Sequence, residues 1–188
     1  FTYKAWDQSA GTAGSKVDAS VGGGSTAFSA VSDSVGITVT AVNDAPVRTA
    51  GNPSSITVSE DSANGTAVTL VLGSVSYGPG GGSDESSQTL AYTVTAIASC
   101  ITLWKSDGTT QVTSGGTLTA AELQGLKYKT VADANGSGSI TWTVKDSGGT
   151  SNGGVDTLTE SLSVTVNALN DAPVRTAGNP SSITVSED

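Results

Sequence analysis

Apolar and polar residues alternate with period two in seven short stretches. They are 55–58 (SITV), 67–72 (AVTLVL), 90–96 (LAYTVTA), 101–104 (ITLW), 126–131 (LKYKTV), 140–144 (ITWTV) and 158–166 (LTESLSVTV). Alternation places every second side chain on one face, which predicts half-buried β-strands. Turn signals separate the stretches: Asn64-Gly65, the Gly/Ser run at 78–83, Asp107-Gly108, Asn135-Gly136 and the run at 147–154. Only 119–125 (TAAELQG) has helical character, and it is two turns at most. Seven short strands in about 120 residues predict an all-β domain, an Ig-like antiparallel β-sandwich with strands A to G.

The strands recur. The segment NDAPVRTAGNPSSITVSED occupies 43–61 and again, letter for letter, 170–188, an offset of 127. The stretch 34–43 (SVGITVTAVN) aligns with 161–170 (SLSVTVNALN) at the same offset. Residues 1–7 (FTYKAWD) resemble 140–146 (ITWTVKD) at an offset of 139. The loop 8–33 of the first copy is therefore longer than its counterpart by the difference between these offsets. A period of 127 is one domain's worth of chain. The expected organisation is a tandem array. Residues 1–42 are the F and G strands of one sandwich, 43–169 a complete repeat with its N-terminal linker, and 170–188 the linker and first strand of the next. On this reading the chain is a window onto a longer array. Four of the five prolines (Pro46, Pro53, Pro173, Pro180) lie in the duplicated segment, as suits a linker entering an edge strand.

Composition narrows the chemistry. There is no His and no Met, and Cys100 is the only cysteine. This argues against His-based acid–base catalysis and against a disulfide framework. No elbow motif surrounds any of the abundant Ser and Thr residues, and no enzyme is expected. Seventeen acids against eight bases give a net charge of −9, which argues against a nucleic-acid partner. No apolar run is long enough to predict a membrane span.

Strand direction assigns the acids to two ends. Counting strands outward from each linker predicts Asn43, Asp44, Asp84, Glu85 and Asp146 at the N-terminal end of the complete repeat. It predicts Glu60, Asp61, Asp133, Asn135, Asn170 and Asp171 at the C-terminal end. Gathered carboxylates repel one another, and a hard cation with six to eight oxygen ligands reverses that sign. Flexible loops and a high ligand count suit Ca2+ better than Mg2+. Arg48 and Arg175 are the only bases close to the linkers. No EF-hand loop is present.

These residues resemble a known family. VNDAPV followed by ITVSED, with strand F written ITWTVKD, is similar to the cadherin-like "tandem-95" repeats of giant bacterial surface adhesins. The resemblance covers the whole chain. It implies a secreted or cell-surface, calcium-stiffened rod serving adhesion. Glu60 and Glu187 match the family's Glu at the end of strand A, and Asp84-Glu85 its acidic B–C loop. Asp133 and Asn135 match its E–F turn loosely, and Asp146 and Asp7 the acid closing strand F. The linker departs from the family pattern: Ala41-Val42 and Ala168-Leu169 precede Asn-Asp-Ala-Pro where an extra Asp and Asn are expected. The resemblance therefore implies one or two ions per junction rather than three.

The expected partners are neighbouring repeats, with identical chains in a fibre or a cell-surface polysaccharide as further ones. Two other functions compete with the extender reading. Aromatic residues on a solvent face would favour a carbohydrate-binding module, and apolar outer sheet faces would favour a laterally assembling filament or sheath. Trp104, Tyr128 and Trp142 are expected to serve in packing first and sugar stacking second. Lys127 and Lys129, two positions apart on strand E, are expected on one face. They could be simply solvated or joined in an isopeptide cross-link. Cys100 is expected as a small buried apolar residue.

Overall fold

A computed structural model describes residues 1–188. The chain divides into two compact units, Phe1–Ala41 and Val42–Asp188.

In the first unit, β1 (Thr2–Tyr3) pairs antiparallel with β2 (Asp33–Ser34). A single bridge joins Trp6 to Phe28. Of the strand expected at 1–7 only Thr2–Tyr3 pairs in a sheet, and of that expected at 34–43 only Ser34 does. Ile37 and Val39 are 79% and 89% exposed. Their alternation is a strand's, but no sheet lies beside them to bury its apolar face.

The second unit contains β3 (Val47–Ala50), β4 (Ile56–Ser59), β5 (Val68–Thr69), β6 (Ser76–Gly78), β7 (Leu90–Ala96), β8 (Ile101–Trp104), β9 (Gln111–Val112), β10 (Thr117–Leu118), α1 (Ala120–Gln124), β11 (Lys127–Thr130), β12 (Gly136–Asp146) and β13 (Thr157–Asn167). One sheet has the order β10-β7-β12-β13-β4 and the other β5-β11-β8-β9, with β3-β6 as a separate pair. The architecture is all-β, with buried residues of both large sheets joined in one core. Strand parity explains the burial. Ile140, Trp142 and Val144 of β12, Leu162 and Val164 of β13, and Leu103 of β8 are all 1% exposed or less. The Trp142 Nε1–H donates to the Tyr77 hydroxyl at 3.1 Å, which satisfies a polar atom inside that core. Burial pushes the Tyr77 phenol up to about 12, so the hydroxyl stays protonated. The helix begins where the sequence places it. Thr119 caps it in a reciprocal box with Glu122, whose carboxylate also receives Lys105 at 2.7 Å.

Three expectations change. Strand A, expected over 55–58, forms as β4 but pairs in parallel with β13, and the linker before it carries a further strand, β3, that pairs with β6. The sandwich is therefore not wholly antiparallel. The segment between β3 and β4 holds Gly51 in a left-handed turn and then Pro53, so the chain cannot run straight from one sheet edge to the other. Strand B, expected over 67–72, pairs regularly only at Val68–Thr69, and Val71 is 59% exposed. Residues 174–188, expected as a strand, form none and are exposed throughout.

Candidate functional site

At the N-terminal end of the second unit, the linker lies against two loops. The Asn43 Nδ2–H donates to Asp146 Oδ1 (3.0 Å) and to the Val155 carbonyl (2.6 Å), while Asn43 Oδ1 accepts from Gln88 Nε2 (2.7 Å). The Asp44 backbone N–H donates to Glu85 Oε1 at 2.7 Å. Glu85 and Asp146 are 3% and 5% exposed. Each retains one buried oxygen, Glu85 Oε2 and Asp146 Oδ2, that accepts no hydrogen bond. A Cβ built on Gly81 would lie 2.6 Å from Glu85 Oε2 and 2.9 Å from Asp44 Oδ2, so these two carboxylates flank one point beside the loop. A buried charged oxygen without a partner is costly, at least the roughly 1–3 kcal/mol of a neutral unsatisfied group.

Glycines make room for this contact. A Cβ on Gly80 would collide with the Ala45 carbonyl, and one on Gly148 with the Asn43 amide. The runs at 78–83 and 147–154 read as turn signals in the sequence, yet Gly80 and Gly148 are seats for the linker. Gly80→Ala is expected to cost about 1–3 kcal/mol, because the obstacle is backbone and cannot rotate away. Denaturant unfolding measures this, and an unchanged midpoint would show that the linker is not seated there.

At the C-terminal end, carboxylate oxygens of Asp61, Asp133 and Asp171 all lie within 4.8 Å of one another. Glu60, 3% exposed, accepts from the Leu169 backbone N–H (2.6 Å) through Oε1 and from Asn135 Nδ2 (3.2 Å) through Oε2. Asp61 Oδ1 accepts from Asn64 Nδ2 (2.5 Å) and, more weakly, from the Asp133 backbone N–H (3.3 Å). Asp61 and Asp133 adopt left-handed backbone (φ 62° and 55°), which turns the chain sharply at both. Asp171 remains exposed. Partial desolvation, followed by the charges of Asp61, Asp133 and Glu60, raises its carboxyl above the ordinary value. Like charges are thus held close, with no base among them.

The structure brings together Asn43, Asp44, Glu85 and Asp146 at one end, and Glu60, Asp61, Asp133, Asn135 and Asp171 at the other. It does not bring in Asp84 or Asn170. Asp84 is exposed with no side-chain hydrogen bond, because the turn at 82–85 aims Glu85 inward and its neighbour outward. Asn170 is exposed and its amide reaches only the Asp171 carbonyl. Arg48, the base nearest the first linker, pairs with Glu160 at 3.4 Å rather than with these acids. Sequence reasoning missed Gln88, which holds Asn43, and Asn64, which holds Asp61 and accepts from the Thr130 hydroxyl. The Asn64-Gly65 dipeptide signalled a turn, and nothing in the sequence signalled its contact across the domain.

Comparison of the chain with protein-family models, with curated proteins and with solved structures finds no match.

Proposed function

We propose that this chain is a structural extender segment of a bacterial cell-surface adhesin or extracellular fibre, with calcium held where successive repeats meet. It acts as a spacer and not as an enzyme. The observation that carries the reading is the pair Glu85 and Asp146, two buried carboxylates, each with an unpartnered oxygen, against the linker residues Asn43 and Asp44. Closing a loop does not require burying uncompensated charge, since apolar or neutral polar side chains do so with less desolvation.

The duplicated linker gives this reading its logic. At the N-terminal end the Asn-Asp pair meets Glu85 and Asp146 of the domain that follows it. At the C-terminal end the second Asn-Asp pair places Asp171 beside Asp61 and Asp133 of the domain that precedes it. One linker sequence is thus fitted to two different domain ends. In an array, each junction would unite the two half-sets around a single Asn-Asp. The presence of the same Asn-Asp pair in both copies fits this reading, because each linker has to satisfy both neighbours. Calcium would supply the positive charge that offsets their repulsion and would tie the linker to both ends. The chain's own residues position the oxygens: Asn43 orients Asp146, the Asp44 backbone orients Glu85, and Asn135 and Leu169 orient Glu60.

A calcium titration of the full chain, followed by thermal melting, tests the reading. A ligand at a hundredfold excess over Kd stabilises the folded state by about 2.7 kcal/mol. The midpoint should therefore rise between chelator and millimolar calcium, and magnesium should produce a smaller rise. An identical midpoint in chelator and in calcium would remove the proposal.

A further inference from the structure

The outer face of the β5-β11-β8-β9 sheet carries an arrangement that end-to-end joining does not use. Parity buries Ile101, Leu103, Tyr128 and Thr130, and leaves Thr102, Trp104, Lys127 and Lys129 half-buried on the other face. Cross-strand register aligns Thr69, Lys127, Trp104 and Gln111 in one row, with Lys129 opposite Thr102 in the next. Four strands at about 4.8 Å spacing make that row roughly 14 Å long. The Trp104 Nε1–H donates to the Thr102 hydroxyl at 2.9 Å, which ties the indole to its own strand. The Lys129 ammonium stands 4.5 Å from the ring centroid. Arg48, Lys105 and Lys145 form ion pairs, whereas Lys127 and Lys129 form none. Neither row contains a carboxylate. A chain of net charge −9 therefore holds two uncompensated ammonium groups beside an aromatic ring.

We propose that this face binds an acidic polysaccharide, of the uronate or sulfated class. The indole offers a surface for the C–H face of a sugar ring, and the ammonium groups pair with its carboxylate or sulfate. Gln111, Thr69 and Thr102 supply the polar groups that sugar hydroxyls need. Lys129 is held over the ring by a single weak contact and by no ion pair, so its flexible stem can swing toward an anionic substituent. A second copy of the chain fits this face less well. The row has no apolar surface beyond Trp104 to form the desolvated centre of a protein interface. At physiological salt, charges beyond about 8 Å are largely screened, so the local lysines govern what docks here.

Affinity electrophoresis of the full chain in gels containing polygalacturonate or neutral dextran tests the proposal. Chelator is present throughout, so no divalent ion bridges protein and polymer carboxylates, and the result is independent of the calcium reading. Retardation relative to a polymer-free gel is expected in polygalacturonate only, weakening as salt is raised. The Lys127→Gln/Lys129→Gln variant should lose about tenfold in affinity, the scale of one good contact. Trp104→Ala should lose a similar factor while Trp104→Phe retains most of it, and circular dichroism confirms that each variant is folded. Absence of retardation, equal retardation in dextran, or unchanged retardation in the double lysine variant would overturn the proposal. So would concentration-dependent self-association of the wild type that the lysine variant abolishes, which would assign the face to a second copy.

Discussion

Trp142→Ala is expected to lower the stability of the second unit by about 3–5 kcal/mol, the usual cost of deleting a fully buried large aromatic side chain. Trp142 has no exposed surface, and it lies between Ile140 and Val144 on the inner face of β12. The substitution opens a cavity and also strips the Tyr77 hydroxyl of its only donor in the core. A small domain has only about 5–15 kcal/mol in total, so the variant should be partly unfolded or markedly sensitive to urea. Trp142→Phe separates the two contributions, since it keeps much of the volume and removes only the N–H. Its midpoint should fall between wild type and the alanine variant. A loss below about 1 kcal/mol for alanine would contradict a close-packed indole.

Glu85→Gln is expected to change sign with the solution. In chelator the variant should be more stable than wild type by roughly 1 kcal/mol or more, because an uncharged amide replaces a buried carboxylate oxygen that has no partner. The remaining amide oxygen can still accept from the Asp44 backbone N–H, and the new NH2 can donate to Asp44 Oδ2 across Gly81. In millimolar calcium the order should reverse. Wild type gains the binding free energy, about 2.7 kcal/mol at a hundredfold excess over Kd, while the variant gains little. Asp146→Asn should behave in the same direction, though more weakly in chelator, because Asp146 Oδ1 also accepts from Asn43 and from the Gly148 backbone. Paired thermal melts read the crossover. A variant less stable than wild type in both solutions would mean that Glu85 serves only to fasten the linker. A variant that keeps the full calcium increment would place the ion elsewhere.

Much of the fold was legible because parity is a local property. Ile101 and Leu103 against Thr102 and Trp104, or Ile140, Trp142 and Val144 against Thr141 and Thr143, can be sorted into inner and outer sets without knowing the partner sheet. The same parity sends Trp142 into the core and Trp104 to the outer face, so two residues of one type take opposite roles. The convergence of acids at the two ends followed from counting strand directions, since each antiparallel turn returns the chain to one end or the other. What that counting could not resolve was the scale of a single side chain. It grouped Asp84 with Glu85, though adjacent residues in a turn point apart. It also passed over Gln88, Asn64, Gly80 and Gly148, whose roles exist only once another segment is laid against them.

The duplicated segment divides what the sequence determines from what tertiary structure decides. Its two copies are identical in every letter and hence have the same propensities and the same alternation. In the first copy, Ile56–Ser59 is a strand, and Ile56 is 9% exposed opposite Val164 of β13. In the second, Ile183 and Val185 are 89% and 84% exposed and no strand forms. The sequence determined which residues could face a core and which end each loop would reach. Whether a segment became a strand was decided by its neighbour, because a strand satisfies its backbone hydrogen bonds and buries its apolar face only against another part of the fold.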